Sequence, residues 1–299
     1  RWGHARYLST EAAAPVIRAR LGDIRLETAR FGETVEIGDA RVSFHPAGHV
    51  PGSAQVRVEV AGEVWVVSGD YKLEPDGLSE PFEPVRCHAF VSECTFGLPV
   101  FRWAPQAEVM AEVGRWWAAN AAEGRVSLLG AYSLGKAQRL LANLDPATGP
   151  ILTHGAIEAM TEVLRAQGYP LPPTIRVTPE TDRKAHPGAL ILAPPSRARH
   201  DMGAALRARL LRFASGWMAL RGIRRRRAAD RGFVISDHAD WEGLNRAIAA
   251  TGAERVFVTH GYTAVFRRWL EEQGYDAGIV ETEFAGEEID AAEPGEAEA

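Results

Sequence analysis

Cysteine is scarce: Cys87 and Cys94 are the only two in 299 residues, too few for a disulfide framework or a thiolate-based zinc site. That scarcity fits a reducing compartment, and a cytoplasmic location is the expectation. Long hydrophobic runs are missing as well. Arg, Glu or Gly interrupts every apolar stretch well short of the ~20 residues that a membrane-spanning helix needs, which excludes one. There is no overall excess of positive charge. The net charge is -5 at pH 7, which argues against a uniformly basic nucleic-acid binder but leaves room for local patches. No internal repeat is visible. With 46% hydrophobic and 24% charged residues, the chain can bury one large or two medium cores.

The patterning changes along the chain. Between Val35 and Asp70, short β-branched runs alternate in Val35–Ile37, Arg41–Phe44, Gln55–Val60 and Val64–Val67. Gly38-Asp39 and Ala61-Gly62-Glu63 supply turns, so the spacing predicts an antiparallel meander. His88–Glu93 adds a buried strand that ends in a carboxylate. After Gly97 the pattern becomes alternating helices and strands, as in a parallel α/β layer. Helices are expected at Ala107–Asn120, Leu134–Leu144, Ala156–Gln167 and near Ala204–Phe213, with strands at Val126–Leu129, Pro150–Thr153, Ile175–Val177 and Ala189–Leu192. A third stretch follows: strand Phe233–Ser236, helix Trp241–Ala250, strand Arg255–Thr259, helix Thr263–Gln273 and a closing strand around Ile279–Glu283. Gly286–Ala299 is acidic and nearly free of large apolar side chains, the composition of a solvated tail.

Five ionisable residues stand where a predicted strand stops: His49, Asp70, Glu93, His238 and His260. Loops leaving a rigid sheet can bring such groups to one point. Taken singly, each reads more readily as a structural residue; five together point to a site. Imidazole and carboxylate without thiolate are the ligands of hydrolytic Zn²⁺ or Mn²⁺.

Gly48-His49-Val50-Pro51-Gly52-Ser53-Ala54, Ser68-Gly69-Asp70-Tyr71, Ser92-Glu93-Cys94-Thr95-Phe96-Gly97, Ser236-Asp237-His238-Ala239-Asp240 and Val258-Thr259-His260-Gly261 resemble, in order and spacing, the successive signatures of the β-CASP branch of the metallo-β-lactamase superfamily. Ser215-Gly216-Trp217-Met218, Arg224–Arg227 and Arg231-Gly232-Phe233 resemble most the bacterial DNA-ligase-associated exonucleases. The resemblance implies an α/β fold, a metallo-β-lactamase αββα sandwich from residues 1–96 and 232–285 interrupted by a β-CASP α/β domain at 97–231, with 286–299 as the tail. It implies two divalent metal ions, Zn or Mn, with His49 on the first, Asp70 bridging and His260 on the second. Glu93 and His238 would support the ligands or act as acid and base. The implied activity is metal-dependent phosphodiester hydrolysis, as a DNA exonuclease in repair, with DNA as partner alongside an ATP-dependent DNA ligase and a helicase. An RNA-processing nuclease of the ribonuclease J or messenger-RNA 3′-end type is the alternative, and a non-catalytic nucleic-acid-binding or scaffold subunit a further one.

The sequence departs from that family at one point. The family's His-x-His-x-Asp-His motif is absent, and its usual place is immediately before Arg1. The chain therefore reads as truncated at its N-terminus and is expected to bind metal poorly and to be inactive by itself.

Weaker signals have two readings each. Ser133 and Lys136 at a helix start can hold a phosphate or simply cap the helix, and the spacing does not match a Walker A loop. Arg224, Arg225, Arg226 and Arg227 can neutralise phosphates or form a solvated face. Trp103, Trp217 and Trp241 can stack on bases, whereas Trp116 and Trp117 read as core. His4, His45, His88, His154, His186 and His200 are assigned no role, and His45 is the one closest to His49.

Overall fold

The structure is a computed structural model, and residues 3–182, 185–195, 211–220 and 232–281 are described. It is a mixed α/β protein whose chain divides into two compact units, Arg1–Arg102 with Asp237–Asp290 and Trp103–Ser236.

The first unit is built on a seven-stranded mixed sheet. Strands β1 (Tyr7–Thr10) and β2 (Leu26–Ala29) stand apart as a parallel pair, joined by helix α1 (Ala14–Leu21). The expected meander is present as β3 (Thr34–Ile37), β4 (Ala40–Pro46), β5 (Ala54–Val60) and β6 (Glu63–Val67), all antiparallel neighbours. Its last turn pairs Val60 with Glu63, and Ala61 and Gly62 both take positive φ, 50° and 85°. That is the backbone sense matching the right-handed twist of a two-residue hairpin. Strand β7 (Ala89–Cys94) then runs parallel to β6, and every one of its residues is buried. A strand flanked on both sides and covered on both faces needs apolar residues throughout, which is why Glu93 and Ser92 stand out in it.

Helix α5 (Trp241–Thr251), strand β13 (Arg255–Gly261), helix α6 (Thr263–Glu272) and strand β14 (Asp276–Ile279) complete this unit. (Helices α2, Gln106–Ala122, α3, Lys136–Asn143, and α4, Gly155–Ala166, belong to the second unit.) Val64, Val66, Phe90, Val256 and Val258 of the sheet pack with Leu244, Ala247 and Ile248 of α5 and Phe266 and Leu270 of α6. Asp240 caps α5, its side chain accepting from the Gly243 N–H at 2.8 Å. Residues 97–102 pack in this unit: the Phe101 ring lies 4.9 Å from that of Phe96, and its carbonyl accepts from the Trp241 N–H.

The second unit holds a five-stranded, all-parallel sheet in the order β10-β9-β11-β8-β12. The strands are β8 (Ser127–Gly130), β9 (Ile151–Thr153), β10 (Ile175–Arg176), β11 (Leu190–Ala193) and β12 (Leu211–Phe213), accompanied by helices α2 (Gln106–Ala122), α3 (Lys136–Asn143) and α4 (Gly155–Ala166). Trp117 of α2 is fully buried and donates its indole N–H to the Gly188 carbonyl at 2.9 Å.

Three sequence expectations need correction. Leu211–Phe213, expected at the end of a helix, is a strand beside β8. Gly130 permits this, since a Cβ there would lie 2.4 Å from the Phe213 ring. Residues 204–210 lie outside the described residues. Phe233–Ser236 is not a strand: Phe233 makes one isolated bridge to Ala214, and the segment belongs to the second unit. The closing strand is Asp276–Ile279, earlier than expected, because Arg255–Val258 of β13 pairs with it in register. The acidic stretch 286–299 lies outside the described residues. No described helix is long and apolar enough to cross a membrane.

Candidate metal centre

His49 sits on the tight loop between β4 and β5. Gly48 and Gly52 both have positive φ, 74° and 79°, and a Cβ on either would lie 2.1 Å from the Lys72 carbonyl oxygen or 2.5 Å from the Ala13 nitrogen. Only glycine lets the backbone come that close. Ser53 Oγ accepts from the N–H groups of His49 and Val50, at 3.1 and 3.2 Å. Thr10 Oγ1 donates to the Gly52 carbonyl, and Glu80 accepts from its N–H, both at 2.8 Å.

The ring of His49 is oriented by Nδ1, which lies 3.0 Å from the Asp237 carbonyl. A carbonyl only accepts, so Nδ1 carries the proton and Nε2 keeps its lone pair. That Nε2 lies 4.0 Å from Oδ2 of Asp70, on the turn leaving β6.

His238 is treated the same way by a charged partner. Its Nδ1 lies 2.9 and 3.0 Å from the two oxygens of Glu93 at the end of β7. Both residues are buried, at 2% and 1% exposure. Burial pushes the Glu93 carboxyl upward, but the facing His238 charge and hydrogen bond, with N–H bonds from Thr95 and Tyr71, outweigh it and hold Glu93 below the ordinary carboxylate range. An imidazole that gives its Nδ1 proton to a carboxylate presents a more basic Nε2. The rings of His49 and His238 are 4.8 Å apart.

His49, Asp70 and His238 each bring one ligand atom to within 4.8 Å of the others. Bond lengths of about 2.1 Å around a tetrahedral ion put its ligands roughly 3.4 Å apart. The His49–Asp70 separation of 4.0 Å, within a set spread over up to 4.8 Å, is wider than that, so an ion would draw these side chains inward. Two nitrogens and an oxygen without thiolate are a donor set that a divalent ion of the Zn or Mn type fits.

His260, at the end of β13, is not in that three-residue set. Its backbone has φ +57°, and its carbonyl accepts from the Cys94 thiol. Ser133 does not cap α3; Gly135 does, while the Ser133 carbonyl accepts from Gln138 at 3.0 Å. Lys136 is 1% exposed with Nζ 4.3 Å from the Tyr132 ring centroid. Arg224–Arg227 lie outside the described residues. Trp217 and Trp241 are buried, so the possibility that they stack on bases gives way to core packing. His45 is held between Ser43 Oγ at 3.1 Å and Glu83 at 3.0 Å, and His154 caps α4.

Sequence reasoning had no handle on the backbone donors and acceptors of the site. The Asp237 carbonyl and the Tyr71 N–H carry no residue-type signal, although each adjoins a residue that does.

No protein-family model matches the chain. Over 281 residues it is 31% identical to a protein of Opitutus terrae named "Probable DNA ligase", an overlap that takes in 93% of this chain and 27% of that relative. Over 123 residues, 40% of this chain, it is 32% identical to 14% of the Candida albicans protein named "Endoribonuclease YSH1" and 28% identical to 16% of its Saccharomyces cerevisiae namesake. The chain thus spans about a quarter or less of these curated relatives. A crystal structure of a protein of unknown function from Enterococcus faecalis V583 shares the fold, with a TM-score of 0.63 at 11% identity over 93% of this chain and 74% of that one.

Proposed function

We propose that this chain belongs to a metal-dependent nuclease of the β-CASP metallo-β-lactamase type, acting as a DNA exonuclease. The observation that carries the reading is the pairing of two tautomer-fixed histidines with Asp70: His49 and His238 both offer Nε2, one set by the Asp237 carbonyl and the other by Glu93. Similarity along 93% of the chain to a protein named as a DNA ligase supports DNA as the substrate.

In this reading the first unit is the metallo-β-lactamase sandwich and the second the β-CASP domain. His49 and Asp70 would hold the first ion, and Asp70 with His260 would hold the second. A bound divalent ion acidifies water and offsets charge on the phosphodiester oxygens. His238, with Nδ1–H held by Glu93, would take up the proton released from the attacking water at Nε2 and give it to the departing oxygen. Arg224–Arg227 would neutralise backbone phosphates; Lys136 is buried over Tyr132.

The test is a hydrolysis assay on matched DNA and RNA strands, using a longer protein that contains this chain. Asp70→Ala and His49→Ala should each remove nearly all turnover. Wild-type turnover in Asp70→Ala would refute the assignment. Preference for RNA would favour the second reading, an RNA-processing nuclease, which the partial similarity to proteins named as endoribonucleases supports.

A further inference from the structure

The end of β13 is unusual in its backbone. His260 and Gly261 take positive φ in succession, 57° and 81°, and the pairing of β13 with β7 shifts register between Thr259 and Gly261. A non-glycine residue in the left-handed region is held there only when its surroundings over-determine it. What surrounds this turn is Cys94. Its buried Sγ lies 2.8 Å from the His260 carbonyl and 3.6 Å from that of Thr259, while its own carbonyl accepts from the Tyr262 N–H at 3.1 Å. A Cβ on Gly261 would lie 2.3 Å from the Cys94 oxygen and 2.5 Å from Thr95 Cα, so the turn is pressed directly onto residues 94–95.

From this geometry we infer that Cys94 is a positioning residue for the candidate centre: its thiol donates to the His260 carbonyl and holds the left-handed turn that aims the imidazole. Consecutive residues of β7 then serve two histidines, Glu93 through the ring of His238 and Cys94 through the backbone of His260. The thiol is not a ligand and is not consumed. Both oxygens that Sγ faces are carbonyls, which only accept, so the hydrogen of the contact belongs to the thiol. Alanine at this position leaves the carbonyl of His260 without that donor and the turn free to relax. Serine retains a donor, on a shorter bond.

The inference rests on the reading of His260 as a metal ligand, and the test separates the two. Zn²⁺ alone is titrated into a longer protein that contains this chain while the ring ¹⁵N signals of its histidines are followed by NMR; direct coordination shifts the ligating nitrogen. In the wild type, His49 and His260 should both shift. In Cys94→Ala and in Cys94→Val, which keeps more of the buried volume, the Zn²⁺ concentration needed to shift His260 should rise about tenfold or more. His49 should respond as before, and Cys94→Ser should return His260 toward the wild-type response. An unchanged His260 response in both the Ala and Val variants overturns the positioning role and leaves the ligand assignment standing. A His260 signal that never responds in the wild type overturns both.

Discussion

Replacing a buried ion pair by apolar residues is often neutral or stabilising, so such a pair is better explained by what its geometry arranges than by stability. Glu93 and His238 meet that condition, since the carboxylate decides which imidazole nitrogen faces Asp70. In Glu93→Gln the side chain can donate as well as accept, so the tautomer is no longer dictated. The expected result is a loss of turnover of about 10- to 100-fold, with secondary structure unchanged by circular dichroism. His238→Gln separates two uses of that ring: if it handles protons, Zn²⁺ binding stays at the wild-type level while turnover collapses. Parallel loss of metal would make it a ligand instead.

Glu158 is the counterpart in the second unit, with no part in the candidate centre. It accepts from Thr153, from Thr174 at 2.6 Å and from Arg165 at 3.0 Å. Burial pushes its carboxyl upward, but these bonds outweigh that and leave it below the ordinary range. A depressed folded value means that stabilisation is fully present above the unfolded carboxylate pKa of about 4.3 and is lost as pH falls through the folded one. Glu158→Gln should therefore cost about 1–3 kcal/mol at pH 7, and the gap to wild type should shrink below roughly pH 4. Urea unfolding at several pH values measures it; a gap independent of pH would show that charge is not what Glu158 contributes.

Elements differed in how legible they were. The β3–β6 meander was readable because apolar and polar residues alternate in Val35–Ile37, Arg41–Phe44 and Gln55–Val60, and β7 because Ala89–Val91 opens it as an apolar run. The pair β1 and β2 was missed: Tyr7–Thr10 and Leu26–Ala29 have no run of β-branched residues and pair across an intervening helix. Phe233–Ser236 misled because an apolar run resembles a strand whether or not a partner is available. The loop residues of the candidate centre were legible because ionisable groups after apolar runs are conspicuous; the carbonyl of Asp237 and the thiol contact of Cys94 depend on tertiary approach and leave no pattern. One element carries a visible imperfection. Ala61, exposed at φ 50°, occupies a hairpin position that favours Asn or Gly. Ala61→Asn should stabilise the protein by up to about 1 kcal/mol, seen as a raised melting temperature, and no change would mean the turn relaxes at little cost.

At the scale of the whole first unit, the seven-stranded sheet has two ends, β3 and β14. Each end strand presents an exposed isoleucine, Ile37 at 55% and Ile279 at 42% exposure, beside backbone groups that pair with no further strand among the described residues. Natural sheets guard such edges with charge, proline or a covering element, because an open edge invites pairing with another copy. Glu36 is the one charged side chain on β3, and its neighbours Thr34 and Val35 offer no comparable block. The chain should therefore self-associate in a concentration-dependent way, and more so in high salt, where charge repulsion between copies of net charge -5 is screened. Ile37→Lys puts a charge on the edge without removing a core contact, since Ile37 is solvent-facing. It should reduce association by sedimentation velocity while leaving the free energy of unfolding within about 0.5 kcal/mol of wild type, as surface substitutions generally do. Association that persists undiminished in Ile37→Lys but falls in Ile279→Lys would move the interface to the β14 end of the same sheet.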